Sequence, residues 1–136
     1  MREIKFRGKD FKGQWIKFNL FSLNMLRVGR LELGTIGQYT GLKDKNGVEI
    51  YEGDIVKTKY HELRNFSDEI VDDYSEFVEE VMWLPICNGF GLKMMIEDIP
   101  LYRPLDFRTE ANGIKLIELE VIGNIHDNPE LLEVEE

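Results

Sequence analysis

Apolar and polar residues alternate along much of this chain, in short runs that end at glycines. Residues 4–7 alternate apolar and basic side chains, which is typical of a half-buried strand. Residues 15–20 predict a second strand, and the simplest topology pairs the two as a hairpin. Residues 21–34 alternate less regularly, but Gly29 and Gly34 favour short strands over a helix. The start of the chain therefore predicts antiparallel β structure.

The clearest local signal lies in residues 37–56, GQYTGLKDKNGVEIYEGDIV. The pair Asn46-Gly47 is typical of a two-residue hairpin turn in which both central residues have positive φ. We therefore predict a type I′ turn between two strands. Gly41 and Gly53 are predicted to occupy two further positions at which the backbone needs a glycine.

Four more strands are predicted in the rest of the chain. They cover residues 55–60, 81–84, 90–94 and 114–125. The pairs Asn88-Gly89 and Asn112-Gly113 predict turns between strands. Gly123 predicts a bulge or a point of close packing inside the last strand.

Prolines mark two irregular places in this pattern. Pro100 and Pro104 predict irregular structure rather than a strand. Asn128-Pro129 predicts the start of a short C-terminal helix, because Asn caps helices and Pro suits the first helical position. Many short strands with no long helix predict a mainly β fold, namely a roll or barrel of several antiparallel strands in one domain.

An acidic segment, residues 62–80, interrupts the regular alternation. It holds eight carboxylates and one basic residue, Arg64, together with several apolar side chains. Ser67 can cap a short helix, but the apolar residues are also good strand formers, and we favour a loop or extended structure. The mixture of charged and apolar side chains predicts a protruding element that buries one face against a neighbouring subunit or a partner.

Charge is unevenly distributed along the chain. The net charge is −9, yet residues 1–30 hold eight basic residues against only Glu3 and Asp10. We expect this basic start to lie beside an acidic surface of the same chain or of a neighbour. Broad nucleic-acid binding is not expected, because an acidic chain repels phosphate. The alternative is a nucleic-acid-associated module that uses the basic start, with Trp15 or Phe18 for base stacking.

No catalytic or metal-binding pattern is complete. His61-Glu62 begins like a zinc-protease motif, but Asn65 stands where the second histidine would be needed. A calcium loop that began at Asp44 would need a glutamate where Ile55 stands. We therefore predict no catalytic residue, no metal site and no cofactor.

The remaining reactive side chains are expected to be structural or to face solvent. Cys87 is expected to be a buried or half-buried inert thiol, and His61 and His126 to be surface side chains. Asp54 follows a glycine in a tight turn and is expected to accept backbone N–H groups. Five carboxylates of the acidic segment are expected to form a solvated face: Asp72, Asp73, Glu76, Glu79 and Glu80.

Aromatic residues are the main candidates for the core. Four aromatic residues could form a ligand-binding face on a small barrel or could pack in the core, and we favour core packing. The four are Tyr39, Tyr51, Trp83 and Phe90. The alternation also places a larger set on the inward faces of a closed or nearly closed sheet. This set is Trp83, Phe90, Leu92, Val121 and Ile125.

Three blocks of the sequence resemble the YopX family of phage and prophage proteins. They are MREIKFR at residues 1–7, the hairpin at residues 38–56 and LEVIGNIHDNPELL at residues 119–132. The resemblance implies a small SH3-like β-roll or barrel over residues 1–136, with a variable acidic insert at about residues 60–78. It does not point to any particular biochemical activity, because the biochemical function of the family is unknown. The motif positions, which we expect to be structural, are Tyr39, Gly41, Asp44, Asn46, Gly47, Tyr51, Gly53, Asp54, Gly123, Asn124 and Pro129.

These observations predict a non-enzymatic accessory or protein-interaction domain encoded by a phage or prophage. We expect it in the cytoplasm of the host bacterium, because no signal peptide or membrane-spanning segment is evident. The expected partners are further copies of the chain in a homo-oligomer and a host or phage protein. The alternatives are the nucleic-acid-associated module, or an acidic decoy of a host nucleic-acid-binding protein.

Overall fold

A computed structural model of the protein describes residues 3–19, 30–63, 70–105, 110–111 and 114–133. These residues form ten strands: β1 (Lys5–Asp10), β2 (Trp15–Asn19), β3 (Leu31–Lys43), β4 (Glu49–Tyr51), β5 (Asp54–Leu63), β6 (Ile70–Leu84), β7 (Gly89–Ile96), β8 (Ile99–Pro104), β9 (Glu110–Ala111) and β10 (Ile114–Asn124). Short 3₁₀ helices cover Pro85–Cys87 and Pro129–Leu132. The predicted mainly β class is confirmed. None of the helices described here is long and apolar enough to cross a membrane.

The smaller of two sheets joins four strands in the order β2-β1-β3-β4. β1 and β2 pair as the predicted hairpin, with Lys5 opposite Asn19 and Lys9 opposite Trp15. β3 pairs with both β1 and β4 and is longer than the alternation predicts. Most of the irregular stretch at residues 21–34 lies outside the described residues, up to residue 29.

The larger sheet has six strands in the order β8-β7-β6-β5-β10-β9, and neighbouring strands are antiparallel. β5 and β6 form a long hairpin, and β6 is one continuous strand. The extended alternative for the acidic segment is therefore confirmed for residues 70–80, and a helix there is wrong. Residues 64–69, which include the possible cap Ser67, lie outside the described residues.

The two prolines for which irregular structure is predicted lie in a strand. Pro100 is opposite Met95 and Pro104 is opposite Gly91 in the pairing of β8 with β7. The prediction is wrong because β8 is an edge strand of the larger sheet. A proline has no N–H to donate, and an edge strand needs hydrogen bonds on one side only.

The signature hairpin is present, but its turn is not of type I′. Gly47 has φ +82°, whereas Asn46 is not among the residues with positive φ. The N–H of Gly47 donates to the carbonyl oxygen of Asp44 at 3.0 Å. The N–H of Asp44 donates to the carbonyl oxygen of Val48 at 2.8 Å. This is a three-residue loop, a type I turn followed by a glycine bulge. It forms because the Asp44 carboxylate accepts the N–H groups of Asn46 and Val48.

Glycines at two other motif positions have the predicted backbone geometry. Gly41 has φ +87° and Gly53 has φ +88°, a conformation that other residues adopt at a cost. The register of β10 against β5 shifts between Val121 and Gly123, which confirms the predicted bulge. A Cβ atom at Gly123 would lie 2.6 Å from Oδ1 of Asn128, so the close packing is confirmed as well.

The core lies on one face of the larger sheet and includes one residue of β4. Its buried side chains are Ile50, Val56, Tyr60, Val81, Phe90, Leu92, Leu105, Leu116 and Leu119. Burial is confirmed for Phe90 and Leu92, while Val121 and Ile125 are half-buried. The prediction of burial is wrong for Trp83, which is 39% exposed. Trp83 lies near the end of β6, where its ring centroid is 5.1 Å from that of Phe90 in an edge-to-face arrangement.

Candidate functional site

Basic side chains of β1 and β2 lie over aromatic rings, in an arrangement that we call the motif ladder. Its cations are Lys5, Arg7, Lys9 and Lys17, and its rings are Trp15, Tyr39 and Tyr51. Lys5, Arg7 and Lys9 share one face of β1, because side chains two residues apart in a strand point the same way. The Arg7 guanidinium carbon is 4.8 Å from the ring centroid of Tyr51 and 4.9 Å from that of Trp15.

Three carboxylates of the same chain neutralise these cations. Glu49 pairs with Lys5 and, at 3.3 Å, with Lys17. Asp54 pairs with Arg7 at 2.5 Å, and Asp127 pairs with Lys9 at 2.5 Å. The expectation that the basic start lies beside acidic groups is therefore confirmed within one chain. The acidic groups concerned belong to the hairpin and C-terminal blocks and not to the acidic segment.

Asp54 is the most buried charge of the motif ladder, at 1% exposure. Its Oδ2 accepts the backbone N–H of Tyr51 at 2.8 Å, as expected, and its Oδ1 accepts a hydrogen bond from Arg7. Burial raises the pKa of Asp54, and the positive charge of Arg7 opposes that shift. Burial also raises the pKa of Tyr51 to about 12, so the phenol stays neutral. Arg7 was missed as a partner because the sequence does not reveal how the smaller sheet, which contains β1, is placed on the larger sheet, which contains β5.

A second feature is a groove between β6, β7 and the C-terminal 3₁₀ helix, with a volume of about 550 Å³. We call it the acidic groove. Its apolar lining consists of Phe77, Val78, Met94, Met95, Ile96, Leu131 and Leu132. Its charged rim consists of Glu76, Glu80, Lys93, Glu97 and Glu133. The sequence pattern does not predict this groove, although two of its residues, Phe77 and Val78, are among the apolar residues of the acidic segment.

The acidic groove differs from the motif ladder in having few internal partners. Glu76 pairs with Lys57 at 3.2 Å. Among the described residues, Glu80, Glu97 and Glu133 have no ion pair within 4.0 Å. The apolar lining is open to solvent as well, with Ile96 44% exposed. The groove therefore presents both apolar surface and excess negative charge.

Comparison with known proteins identifies the family. A family model described as YopX protein matches residues 3–133. The chain belongs to the YopX family. Among solved structures, protein EF1440 from Enterococcus faecalis is similar at 22% identity, over 98% of this chain and 100% of that one, with a TM-score of 0.44. A search of the curated proteins found no match.

The YopX motif residue Asp44 joins the hairpin to β10. Its Oδ2 accepts the N–H of Val121 at 2.9 Å, and the neighbouring Lys45 N–H donates to the carbonyl of Leu119 at 3.1 Å. Burial acts to raise the pKa of Asp44, but the hydrogen bonds from Val121, Val48 and Asn46 outweigh burial and hold it below its usual value. The carboxylate therefore ties two blocks of the motif together.

The C-terminal YopX motif positions organise the turn after β10. Oδ1 of Asn124 accepts the N–H groups of His126 and Asp127, at 3.0 and 2.9 Å. The predicted short helix begins at Pro129 as a 3₁₀ helix. The expected cap by Asn128 is wrong, because its side-chain oxygen instead accepts the N–H of Asn124 at 3.3 Å. Asn124 and Asn128 thus hold this turn together from both sides.

Asp127 connects the C-terminal turn to β1 and β2. It accepts hydrogen bonds from Lys9 at 2.5 Å and from the indole Nε1 of Trp15 at 2.7 Å. Hydrogen bonds from the side chains of Lys9, Trp15 and Asn124, in order of decreasing effect, lower the pKa of Asp127 to about 2. All three blocks of the YopX motif therefore meet in the motif ladder.

Cys87 and the two histidines are placed differently from one another. Cys87 is exposed, so the prediction of a buried or half-buried thiol is wrong. It is the last residue of the 3₁₀ helix that connects β6 to β7. His126 is exposed, as predicted, and lies 5.9 Å from the ring of Trp15. His61 is half-buried and stacks on Tyr74 at 5.1 Å.

The predicted solvated face of five carboxylates is wrong for Glu79, which is 0% exposed. The hydroxyl of Tyr60 donates to Oε2 of Glu79 at 2.5 Å, and Arg103 Nε lies 3.8 Å from Oε1. Glu79 shares the inward face of β6 with Phe77 and Val81, an alternation that is visible in the sequence. The side chains of residues 72 and 73 lie outside the described residues. The part of the chain that is described holds no group of three or more His, Cys, Asp or Glu suited to a metal.

The four aromatic residues considered for a ligand-binding face form two pairs. Tyr39 lies 5.4 Å from Tyr51 in the smaller sheet, and Trp83 lies 5.1 Å from Phe90 in the larger one. Tyr39, Tyr51 and Phe90 are buried, which confirms core packing for these three.

Proposed function

We propose that this YopX protein is a non-enzymatic accessory protein, encoded by a phage or prophage, that binds another protein through the acidic groove. One observation carries the proposal: β6, β7 and the C-terminal 3₁₀ helix form an open groove of about 550 Å³ with an apolar lining and a charged rim. An exposed apolar patch with a polar rim is typical of a protein interaction site. We further propose that the protein acts in the host cytoplasm.

The placement of the reactive side chains supports a role without catalysis. The thiol of Cys87 lies 3.6 Å from the carbonyl oxygen of Leu84, which cannot act as a base toward it. His61 stacks on Tyr74, and His126 lies beside Trp15. Within the residues that the structure describes, the contacts of these three groups are with backbone or with aromatic side chains.

The nucleic-acid-associated alternative receives less support. Its candidate stacking residue Phe18 is buried and stacks on Phe6 at 5.7 Å. The other candidate, Trp15, lies beneath Arg7 and donates to Asp127. The cations of the motif ladder are already paired with carboxylates, so fewer of them are free for phosphate.

Two finer expectations belong to this proposal. We propose that the larger sheet curls into an SH3-like roll or barrel, since its core lies on one face. We propose that self-association into a homo-oligomer uses a surface other than the acidic groove. Two copies that met groove to groove would bring Glu97 and Glu133 of one rim against the same residues of the other, and like charges repel.

The proposal is tested by affinity capture from a bacterial lysate with immobilised protein. The test variant is Val78→Ser with Met95→Ser, which removes apolar surface from the groove. The matched control is Leu33→Ser, because Leu33 is an exposed apolar residue of β3 outside the groove. We expect a protein that wild type and control retain and that the double variant loses.

Retention of the same proteins by the double variant would refute the proposal. A captured protein that nucleic acid displaces would favour the decoy alternative over a general accessory role. Binding of labelled DNA or RNA at low salt by wild type would favour the nucleic-acid-associated module instead.

A further inference from the structure

Resting on the proposed function, we infer that the occupant of the acidic groove is a cationic, partly apolar peptide segment of another protein. The rim holds four glutamates and one lysine. Since Glu80, Glu97 and Glu133 have no ion pair among the described residues, their charge is available to a partner. A segment with Lys or Arg beside its apolar residues complements this arrangement.

The lining specifies the apolar part of that segment. Val78, Met95, Ile96 and Leu131 are all partly open to solvent in the groove. Met95 contributes an unbranched, adaptable side chain that is 39% exposed, so it can pack against apolar anchors of different shape. The segment therefore needs one or a few apolar side chains rather than one particular sequence.

The neighbouring edge of the sheet limits how the segment binds. β8 is the edge strand beside β7, and it carries Pro100 and Pro104. Prolines at an edge interrupt the row of N–H groups that an added strand would use. The segment therefore docks by its side chains in the groove and not by adding a strand to the sheet.

The negative charge of the rim also favours a cationic peptide over anionic ligands. A fatty acid or a phospholipid head group would bring a negative charge to a rim that is already negative. A second copy of the chain that docked by its own groove would also bring negative charge to the negative rim. The basic side chains Lys5, Arg7 and Lys9 of a second copy are already engaged in its motif ladder.

The test uses three labelled peptides and the full chain, with binding followed by fluorescence anisotropy. One peptide carries lysines and leucines in an amphipathic pattern, one has glutamate in place of each lysine, and one has serine in place of each leucine. We expect the Lys/Leu peptide to bind and the other two to bind at least about tenfold more weakly. Binding should weaken further as salt is added.

A charge-matched pair of variants locates the binding. Glu80→Gln, Glu97→Gln and Glu133→Gln together should weaken Lys/Leu peptide binding about tenfold. The control, with Glu32→Gln, Glu118→Gln and Glu120→Gln, removes the same charge outside the groove and should change affinity by no more than about twofold.

Each other outcome overturns the inference in a recognisable way. Equal binding of the Glu/Leu peptide means that the groove binds apolar segments without charge selection. Equal binding of the Lys/Ser peptide, or equal loss in both triple variants, means general attraction to an acidic protein. If no peptide binds while Val78→Ser with Met95→Ser still loses its lysate partner, the cationic occupant is wrong and the proposed function stands.

Discussion

The motif ladder and the acidic groove are both built from charged and apolar side chains, but they differ in how those side chains are partnered. In the motif ladder, Arg7 lies between two rings and pairs with Asp54, which is almost fully buried. In the acidic groove, apolar side chains remain open to solvent and Glu97 and Glu133 have no ion pair among the described residues. The charges of the motif ladder are paired within the chain, whereas three glutamates of the acidic groove have no ion pair among the described residues.

This difference separates a region that we expect to contribute to stability from a region that we propose to bind a partner. Polar groups that are paired inside the chain stabilise it, and their loss leaves buried charge without a partner. Exposed apolar groups and unpaired charges contribute little to stability and are available for binding. Three positions of the YopX motif, Asp44, Asp54 and Asn124, accept hydrogen bonds within the chain and resemble the motif ladder in this respect.

The largest expected effect comes from Arg7→Met. It should lower the free energy of unfolding by about 3–5 kcal/mol, because Asp54 would remain buried without its counter-charge. The control is Lys17→Met, which removes a ladder cation whose side chain is 62% exposed and should cost much less. Urea unfolding measures both.

The pH dependence of Arg7→Met sharpens this test. Burial raises the pKa of Asp54, and without Arg7 nothing comparable opposes the shift. A carboxyl with a raised pKa in the folded state favours folding most when it is protonated. Part of the lost stability should therefore return as the pH falls through that raised pKa. Loss of stability at every pH would contradict the assignment to Asp54.

A smaller loss is expected for Gly47→Val. Gly47 has φ +82° with no other atom near the position of a Cβ, so only the backbone conformation is strained. A β-branched residue at this φ should lower the free energy of unfolding by about 1–2 kcal/mol. Gly47→Asn is the control and should cost less, because Asn tolerates positive φ. A neutral Gly47→Val would show that the turn adopts another conformation.

Acid titration of Asp127 should show a still smaller effect. Lys9, Trp15 and Asn124 hold its pKa at about 2, below the ordinary value of 3.8. The stabilisation is therefore complete above the ordinary value and is lost as the pH falls toward about 2. Because Asp127 is about one-third exposed, we expect no more than about 1 kcal/mol. Asp127→Asn should flatten this part of the stability–pH curve, whereas Glu130→Gln, at an exposed neighbour, should not.

The smallest change in stability is expected in the acidic groove. Glu80→Gln, Glu97→Gln and Glu133→Gln together should leave the free energy of unfolding within about 0.5 kcal/mol of wild type. Thermal and urea unfolding of this triple variant and of Arg7→Met, measured side by side, compare the contributions of the two regions to the free energy of unfolding. A loss comparable to that of Arg7→Met would mean that the rim charges have partners inside the folded chain.

Sequence by itself determined the features that depend on neighbouring residues. Alternation located the strands on both sides of the hairpin. Gly47 and Gly53 have the positive φ that local turn geometry requires, and Gly41 has a positive φ where the register of β3 against β4 shifts. The family also followed from the sequence, because its three blocks stand in order along nearly the whole chain. The type of turn was missed since the Asp44 side chain competes for the backbone N–H groups of Asn46 and Val48.

Only the tertiary structure decided which distant residues meet and which surfaces stay open. Arg7 and Asp54 are 47 positions apart, and their contact depends on how the smaller sheet is placed on the larger one. Glu79 is buried and Trp83 is exposed although both lie on β6, because burial depends on where along the strand the core covers the sheet. The acidic groove likewise exists only because the C-terminal 3₁₀ helix returns beside β6 and β7. Alternation defines the face on which a side chain lies, but the elements that cover that face are set by contacts between strands distant in sequence.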